Sequence, residues 1–287
     1  VHRLLVQQDA VNYRTQLVTI AFFGWKYIPK NKMGEGIGYL GLGMVIGSAV
    51  APGIGVTISE NFGMRMTFLM SAVLTVAALV ILCLFHEEKK ENKEKKKIVF
   101  SDILAVEALP YTIVAGSYSF INGIIASYLV MYADELGISG VSVYFTVCAA
   151  VLFIVRPFSG KLMDKKGIRV TVLPGLALTA SSMFILGRST SLILILITGV
   201  LRSVGQGAAQ PSLQAGCINK VGTGRSGVAT STYYLGGDIF QGIGPMIGGA
   251  VIGAVAGIAG YRTLFDLSGV LMLCALVFFI LVTGKEK

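Results

Sequence analysis

Apolar runs of about twenty residues alternate with short polar stretches along most of the chain, a rhythm too long and too continuous for the core helices of a soluble domain. Runs at 36–58, 64–85, 105–132, 141–160, 168–187, 192–218, 227–255 and 261–283 can each cross a hydrocarbon layer of ~30 Å at 1.5 Å per residue. They predict about eight complete transmembrane helices. The piece before them, 17–28, is apolar for about twelve residues where roughly twenty are needed, and Pro29 closes it, so it predicts one partial helix. The expected fold class is all-α, a polytopic membrane bundle.

The rhythm breaks once. Residues 86–97 read HEEKKENKEKKK, six lysines against four glutamates, too polar to order themselves in a core and therefore a loop in water. This charged linker, taken as 86–104, separates 1–85 from 105–287, which holds six spans. Short loops rich in Lys and Arg stay cytoplasmic. Placing the linker there also places Lys26, Lys30, Lys32, Lys161, Lys165, Lys166, Arg169, Lys220, Arg225, Lys285 and Lys287 inside, and leaves only Arg65, Arg188 and Arg262 outside. The imbalance predicts a multi-pass protein of the cell membrane with linker and C-terminus cytoplasmic. Arg262 and Asp266, four apart near the outer end of the last span, read as a surface helical pair.

Composition sharpens what is excluded. Apolar residues make up 54%, charged residues 14%, and mean hydropathy is +0.75. A net charge of +9 would suggest nucleic acid in a soluble chain, but these cations sit in short loops where they orient helices, so the expected partner is the lipid bilayer and not nucleic acid. The four cysteines lie singly in separate spans, and the two histidines have no ligand-like neighbours. No metal, cofactor or disulfide framework is implied. No carboxylate pair or Cys/His set converges, so an enzyme is not expected.

The chain also repeats itself. A shift of 193 residues lays Ala51-Pro52-Gly53-Ile54-Gly55 on Gly244-Pro245-Met246-Ile247-Gly248, and Lys32-Met33-Gly34 on Arg225-Ser226-Gly227. In both copies a cation precedes a helix that carries a proline kink. If the copies are counterparts in two halves, six spans follow the linker and about three and a half are missing before it. The same shift places Arg202, Gly205, Gln206 and Gly207 on unlike residues, Asp9, Asn12, Tyr13 and Arg14, so residues 1 to about 16 do not read as the helix that should precede Lys26. A deletion, a frameshift or a misassigned start would each produce this.

The turn Gly160-Lys-Leu-Met-Asp164-Lys-Lys-Gly167-Ile-Arg169 supplies a packing glycine, an acid among cations that a helix N-terminus could hold, and a turn glycine. It resembles the G-x-L-x-D-x-x-G-x-R loop of the major facilitator superfamily at every named position. The resemblance, which runs from about Lys26 to the end, implies a cytoplasmic gate, with Arg156 anchoring the loop. Gly38, Gly47, Ala51, Pro52 and Gly55 resemble the helix-five pattern of that family's twelve-helix drug:proton antiporters, with Ala51 where the pattern has Gly. The stripe also reads as a plain packing seam for a neighbouring helix. Gly244, Pro245 and Gly248 keep the tail of the same pattern. On this resemblance, 1–85 is the remnant of an N-terminal bundle (partial helix four, helices five and six) and 105–287 a complete C-terminal six-helix bundle. Gly36-Ile-Gly38-Tyr-Leu-Gly41 fits G-x-G-x-x-G, but no strand precedes it.

Asp238 lies about eleven residues into its span, ~16 Å deep, and Arg202 about ten residues from the outer start of the preceding one. Ionisable groups at such depth are costly unless paired or facing water. Asp238 is expected either to pair with Arg202 or to take up a proton, with Gln206, Gln210 and Asn122 along the same path; a static pair that only fixes packing is the alternative. Arg202, Gln206 and Gly207 resemble the family's R-x-x-x-Q-G helix. The resemblance implies proton-coupled export of small, apolar or cationic solutes by alternating access. Import of sugars or metabolites, or a truncated transporter without activity, are the alternatives.

Overall fold

The computed structural model describes residues 35–37, 39, 42, 58, 61–84, 104–255 and 257–284. Regular structure among them is helical throughout. Seven long helices follow in chain order: α1 (Met64–Leu84), α2 (Leu109–Glu135), α3 (Val143–Lys166), α4 (Ile168–Leu186), α5 (Leu192–Val221), α6 (Ser226–Ala254) and α7 (Ile258–Gly284). Single 3-10 turns, Val106–Ala108 and Thr223–Arg225, lead into α2 and α6.

Local chemistry sets the boundaries. Pro110 occupies the first turn of α2, where its missing N–H has no helical partner to lose. The Ser191 hydroxyl caps α5 by accepting from the Leu194 N–H. Gly167 ends α3 and starts α4 at φ +84°, with nothing near the position its Cβ would take, so the backbone conformation alone demands glycine there.

Among the described residues, five helices are long and apolar enough to cross a membrane: Val106–Glu135, Val143–Lys166, Ile168–Leu186, Leu192–Val221 and Ile258–Gly284. α6 has 29 residues but carries Asp238, Gln241, paired tyrosines and many glycines, which dilute its hydropathy without shortening it. Of the other expected spans, 64–85 is α1, and most of 36–58 lies outside the described residues, as does the partial helix.

The six helices after the linker pack as one bundle. α2 runs alongside α6 so closely that glycine is needed on both sides: Gly116 sits under the Phe240 ring, Gly244 on the Phe120 carbonyl and Gly248 on the Tyr128 ring. Pro245 has no N–H for the Gln241 carbonyl one turn back, and Gly123 of α2 packs against that carbonyl, where a Cβ would come within 2.4 Å of the oxygen. The Tyr128 hydroxyl donates to the Pro245 carbonyl at 2.6 Å. On the other side of the bundle, Gly175 of α4 and Gly205 of α5 cross backbone to backbone. Tyr132, Phe265 and Phe279 fill the α2–α7 seam, with Tyr132 edge-on to Phe265 at 5.2 Å. Apolar side chains such as Phe158, Ile193, Met246 and Leu281 face outward, as lipid contact or a further helix requires. On α1, Phe68, Leu69, Val73, Leu74 and Val76 are exposed.

One expected pair forms differently. Asp266 bonds not to Arg262 on its own helix but to Arg188 just beyond the end of α4, at 2.6 and 3.4 Å. The tertiary partner presents two donors, one to each carboxylate oxygen.

Candidate functional site

Two groups of sequence-predicted residues meet in space. The first is the loop between α3 and α4, at the end of the bundle where the linker enters. Gly160 is buried on α3 and Arg156 is buried one turn earlier. The Ser159 hydroxyl donates to the Gly207 carbonyl of α5 at 2.9 Å and to the Arg156 carbonyl, fixing the last turns of α3. Arg169 donates through Nε to the Thr283 hydroxyl at 3.1 Å and through Nη2 to the Thr283 carbonyl, so the loop is tied to the end of α7. Asp164 reaches outside the bundle: its Oδ2 accepts from the Glu35 backbone N–H at 2.9 Å, across 129 residues of sequence. The Glu35 carboxylate in turn meets Lys161 Nζ at 3.4 Å. Two residues on, Ile37 is 4% exposed in an apolar cluster with Met163 of α3, Ala215 and Ile218 of α5 and Ala229 of α6. A polar clasp and an apolar plug therefore join the segment before the linker to three helices after it.

The second group lies along α5. Arg202, 6% exposed, donates through Nη1 to Asn122 Oδ1 of α2 at 2.6 Å and to Gln206 Oε1 at 3.1 Å. Its Nε donates to the Tyr144 hydroxyl at 3.0 Å, Nη2 makes a long contact with Cys148 Sγ at 3.8 Å, and the guanidinium lies 5.7 Å from the Tyr144 ring centre. Gln206 Nε2 donates onward to Gln210 Oε1 at 3.1 Å. The strip Asn122, Arg202, Gln206, Gln210 is thus brought together as expected.

Asp238 does not join it. The expected Arg202–Asp238 pair is absent: the partners of Arg202 are the four neutral side chains above. The α2–α6 packing explains why. Asn122 lies level with residues 241–245 of α6, because Phe120 abuts Gly244 and Gly123 abuts Gln241 and Pro245. Arg202 is therefore roughly five residues, ~8 Å, further along the helix axis than Asp238. Asp238 sits instead on the exposed face of α6 with Leu235, Ile239, Ile243 and Met246.

Gly244, Pro245 and Gly248 line the α2–α6 contact and act there as packing residues. Gly38, Gly47, Ala51, Pro52 and Gly55 lie outside the described residues. Sequence reasoning missed Glu35, Ile37, Tyr144, Cys148 and Thr283. Tyr144 and Cys148 are four apart, hence on one helical face, and that spacing was the available signal.

Residues 26–245 match the family model of the Major Facilitator Superfamily. The chain belongs to the major facilitator superfamily. An uncharacterised MFS-type transporter of Methanocaldococcus jannaschii is 24% identical over 84% of this chain and 64% of its own length. The multi-drug resistance efflux pump PmrA of Streptococcus pneumoniae is 26% identical, over 83% of this chain and 61% of the pump. Multidrug resistance protein MdtG of Yersinia enterocolitica, also 26% identical, is similar over 86% and 61%. This major facilitator chain thus spans about three-fifths of the length of the curated relatives it matches. Two solved structures share its fold: a human organic anion transporter, TETRAN (TM-score 0.74, 15% identity, 91% of this chain and 67% of that one), and the E. coli fucose:proton symporter FucP (TM-score 0.70, 16% identity, 90% and 71%). Fold, family and multi-pass membrane character follow.

Proposed function

We propose that this chain works in secondary active transport, moving small molecules out of the cell by alternating access with protons as the coupling ion. The observation that carries the reading is the clasp. Alternating access needs a seal at one end of the path that forms and parts in every cycle. Among the described residues the clasp consists of the Glu35–Asp164 hydrogen bond, the exposed Lys161–Glu35 ion pair with Tyr39 beside Lys161, and the buried Ile37 side chain, largely polar contacts that water can replace when the halves part. They also join the two parts of the chain that flank the linker, as a gate between halves must. In this reading 1–85 belongs to the first half, 86–104 is the cytoplasmic linker, 105–287 is the second half, and the clasp shuts the cytoplasmic end.

Asp238 takes the proton-carrying role. It is a carboxylate midway along α6 with no share in the arginine strip, on a face shared with Leu235, Ile239 and Ile243, and an ionisable group at that depth is a candidate for reversible protonation. The relative named as a multi-drug resistance efflux pump, together with the one named as a multidrug resistance protein, supports export over import.

Everted vesicles from a host stripped of its own pumps, expressing the chain, test the reading with a panel of labelled organic anions, cations and neutral drugs. Accumulation that collapses with the proton gradient and is lost in Asp238→Asn is the expected result. Gradient-driven movement in the opposite direction identifies an importer. No gradient-dependent movement of any panel member overturns transport by this chain.

A further inference from the structure

The arginine strip has a polarity that the amide positions alone do not reveal. Arginine has donors and no acceptor, so any amide that bonds to it must turn its oxygen inward. Asn122 and Gln206 both do so. Gln206, its oxygen committed, offers its nitrogen to Gln210, and Gln210 must answer with its oxygen. The strip ends in nitrogens on both sides: Nδ2 of Asn122 and Nε2 of Gln210 have no hydrogen-bond partner among the described residues. Neither belongs to the buried polar atoms left unpartnered, so both open onto reachable space, and both residues are only half-buried. Between them Arg202 is held by neutral groups, and no carboxylate lies within ion-pairing distance of it among the described residues. Its Nη2 meets only the weak acceptor Cys148 Sγ at 3.8 Å. A buried guanidinium with hydrogen bonds but no counter-charge, flanked by outward-turned N–H groups, is an acceptor-hungry surface.

We infer that the Asn122–Arg202–Gln210 strip binds the oxyanionic group of a small organic solute, a carboxylate or a group of like charge and shape. The ligand is then the transported solute, so the inference rests on the transport reading and narrows it: the cargo carries a negative group, in place of the apolar or cationic solutes that the family resemblance implies. The strip lies midway along α2, since Asn122 is the fourteenth of its 27 residues, away from both layers of lipid headgroups, so a free solute and not a headgroup is the occupant.

The test separates binding from flux. The purified chain in phosphatidylcholine discs is dialysed to equilibrium against labelled benzoate, benzamide and benzylammonium, which share one ring and differ in head charge. Benzoate is expected to bind about tenfold or more tighter than the other two, the gain of a charge-assisted bond over a neutral one. Removing Arg202 could unfold the bundle, so the deciding variant is Asn122→Asp, which puts a permanent carboxylate where Arg202 already reaches. It keeps the fold, read as unchanged helicity and melting, and loses the benzoate preference. Benzoate binding no tighter than benzylammonium, no measurable benzoate binding, or an Asn122→Asp variant that still prefers benzoate would each overturn the inference. A benzoate preference without flux in vesicles leaves the site standing and removes the transport reading; flux confined to cations does the reverse.

Discussion

Removing the Asp164 charge is expected to open the linker end. In Asp164→Asn the Glu35 N–H keeps an acceptor but loses the charge on it. A hydrogen bond to an ionised group contributes about 1.5–3 kcal/mol when shielded, roughly twice a neutral one. The 2.9 Å contact is solvent-exposed, so a discount brings the loss to about 1 kcal/mol. The contact exists only while Glu35 and α3 are together, so the whole loss falls on the closed state and the open fraction rises about fivefold. Ile37→Cys reports this, because the side chain is 4% exposed when the clasp is shut. Its labelling rate by an impermeant maleimide applied from the linker side is proportional to the open fraction. Asp164→Asn in that background should raise the rate about fivefold, and Lys161→Gln less, because Lys161 is half exposed and a solvated ion pair adds little. A rate within twofold of the parent, or a Lys161→Gln effect equal to that of Asp164→Asn, would refute the reasoning.

The glycine contacts give a second test. Gly123→Ala would bring a methyl within 2.4 Å of the Gln241 carbonyl and 2.9 Å of Pro245 Cδ, and Gly205→Ala within 2.4 Å of the Gly175 carbonyl, neither of which can yield without moving a helix. Each should cost about 1–3 kcal/mol and lower the melting temperature in detergent, while Gly253→Ala, with open space around it, should leave melting unchanged. The Arg188–Asp266 contact should show a coupling of under ~1 kcal/mol in a double-mutant cycle read by melting, because both side chains are more than a third exposed. The Arg262–Asp266 cycle should show none.

The helices were legible because a bilayer writes its thickness into the sequence: a run of about twenty apolar residues has few other meanings. The expected 168–187 and 192–218 became α4 and α5 with ends shifted by at most three residues. α3 runs longest past its expected end, to Lys166, because Lys161, Asp164, Lys165 and Lys166 extend it beyond the apolar layer, where hydropathy carries no signal. The gate loop was legible for a different reason. Gly167 occupies a backbone conformation that side chains disfavour, so the glycine, the acid three residues before it and the arginine two after it keep a fixed spacing that the eye can find.

Partners across helices were not legible, and Arg202 shows why. Counting residues from the ends of two spans puts Arg202 and Asp238 at one depth only if both helices start at matching levels. α3 starts about two turns into α5: Tyr144, its second residue, packs against Gly199, the eighth residue of α5, and bonds Arg202. The α2–α6 glycine contacts set Asn122 level with residues 241–245, and the two registers together hand Arg202 to Tyr144 and Asn122 instead of Asp238. The two ionisable residues that a depth count would have neutralised against each other are left with separate chemistry, a fixed positive charge in one strip and an exposed carboxylate ~8 Å along the axis. A pair that cancelled would leave a path with nothing to recognise an anion and nothing to carry a proton. On the proposed transport reading, separation by one and a half helical turns keeps the anion site and the proton carrier as distinct groups.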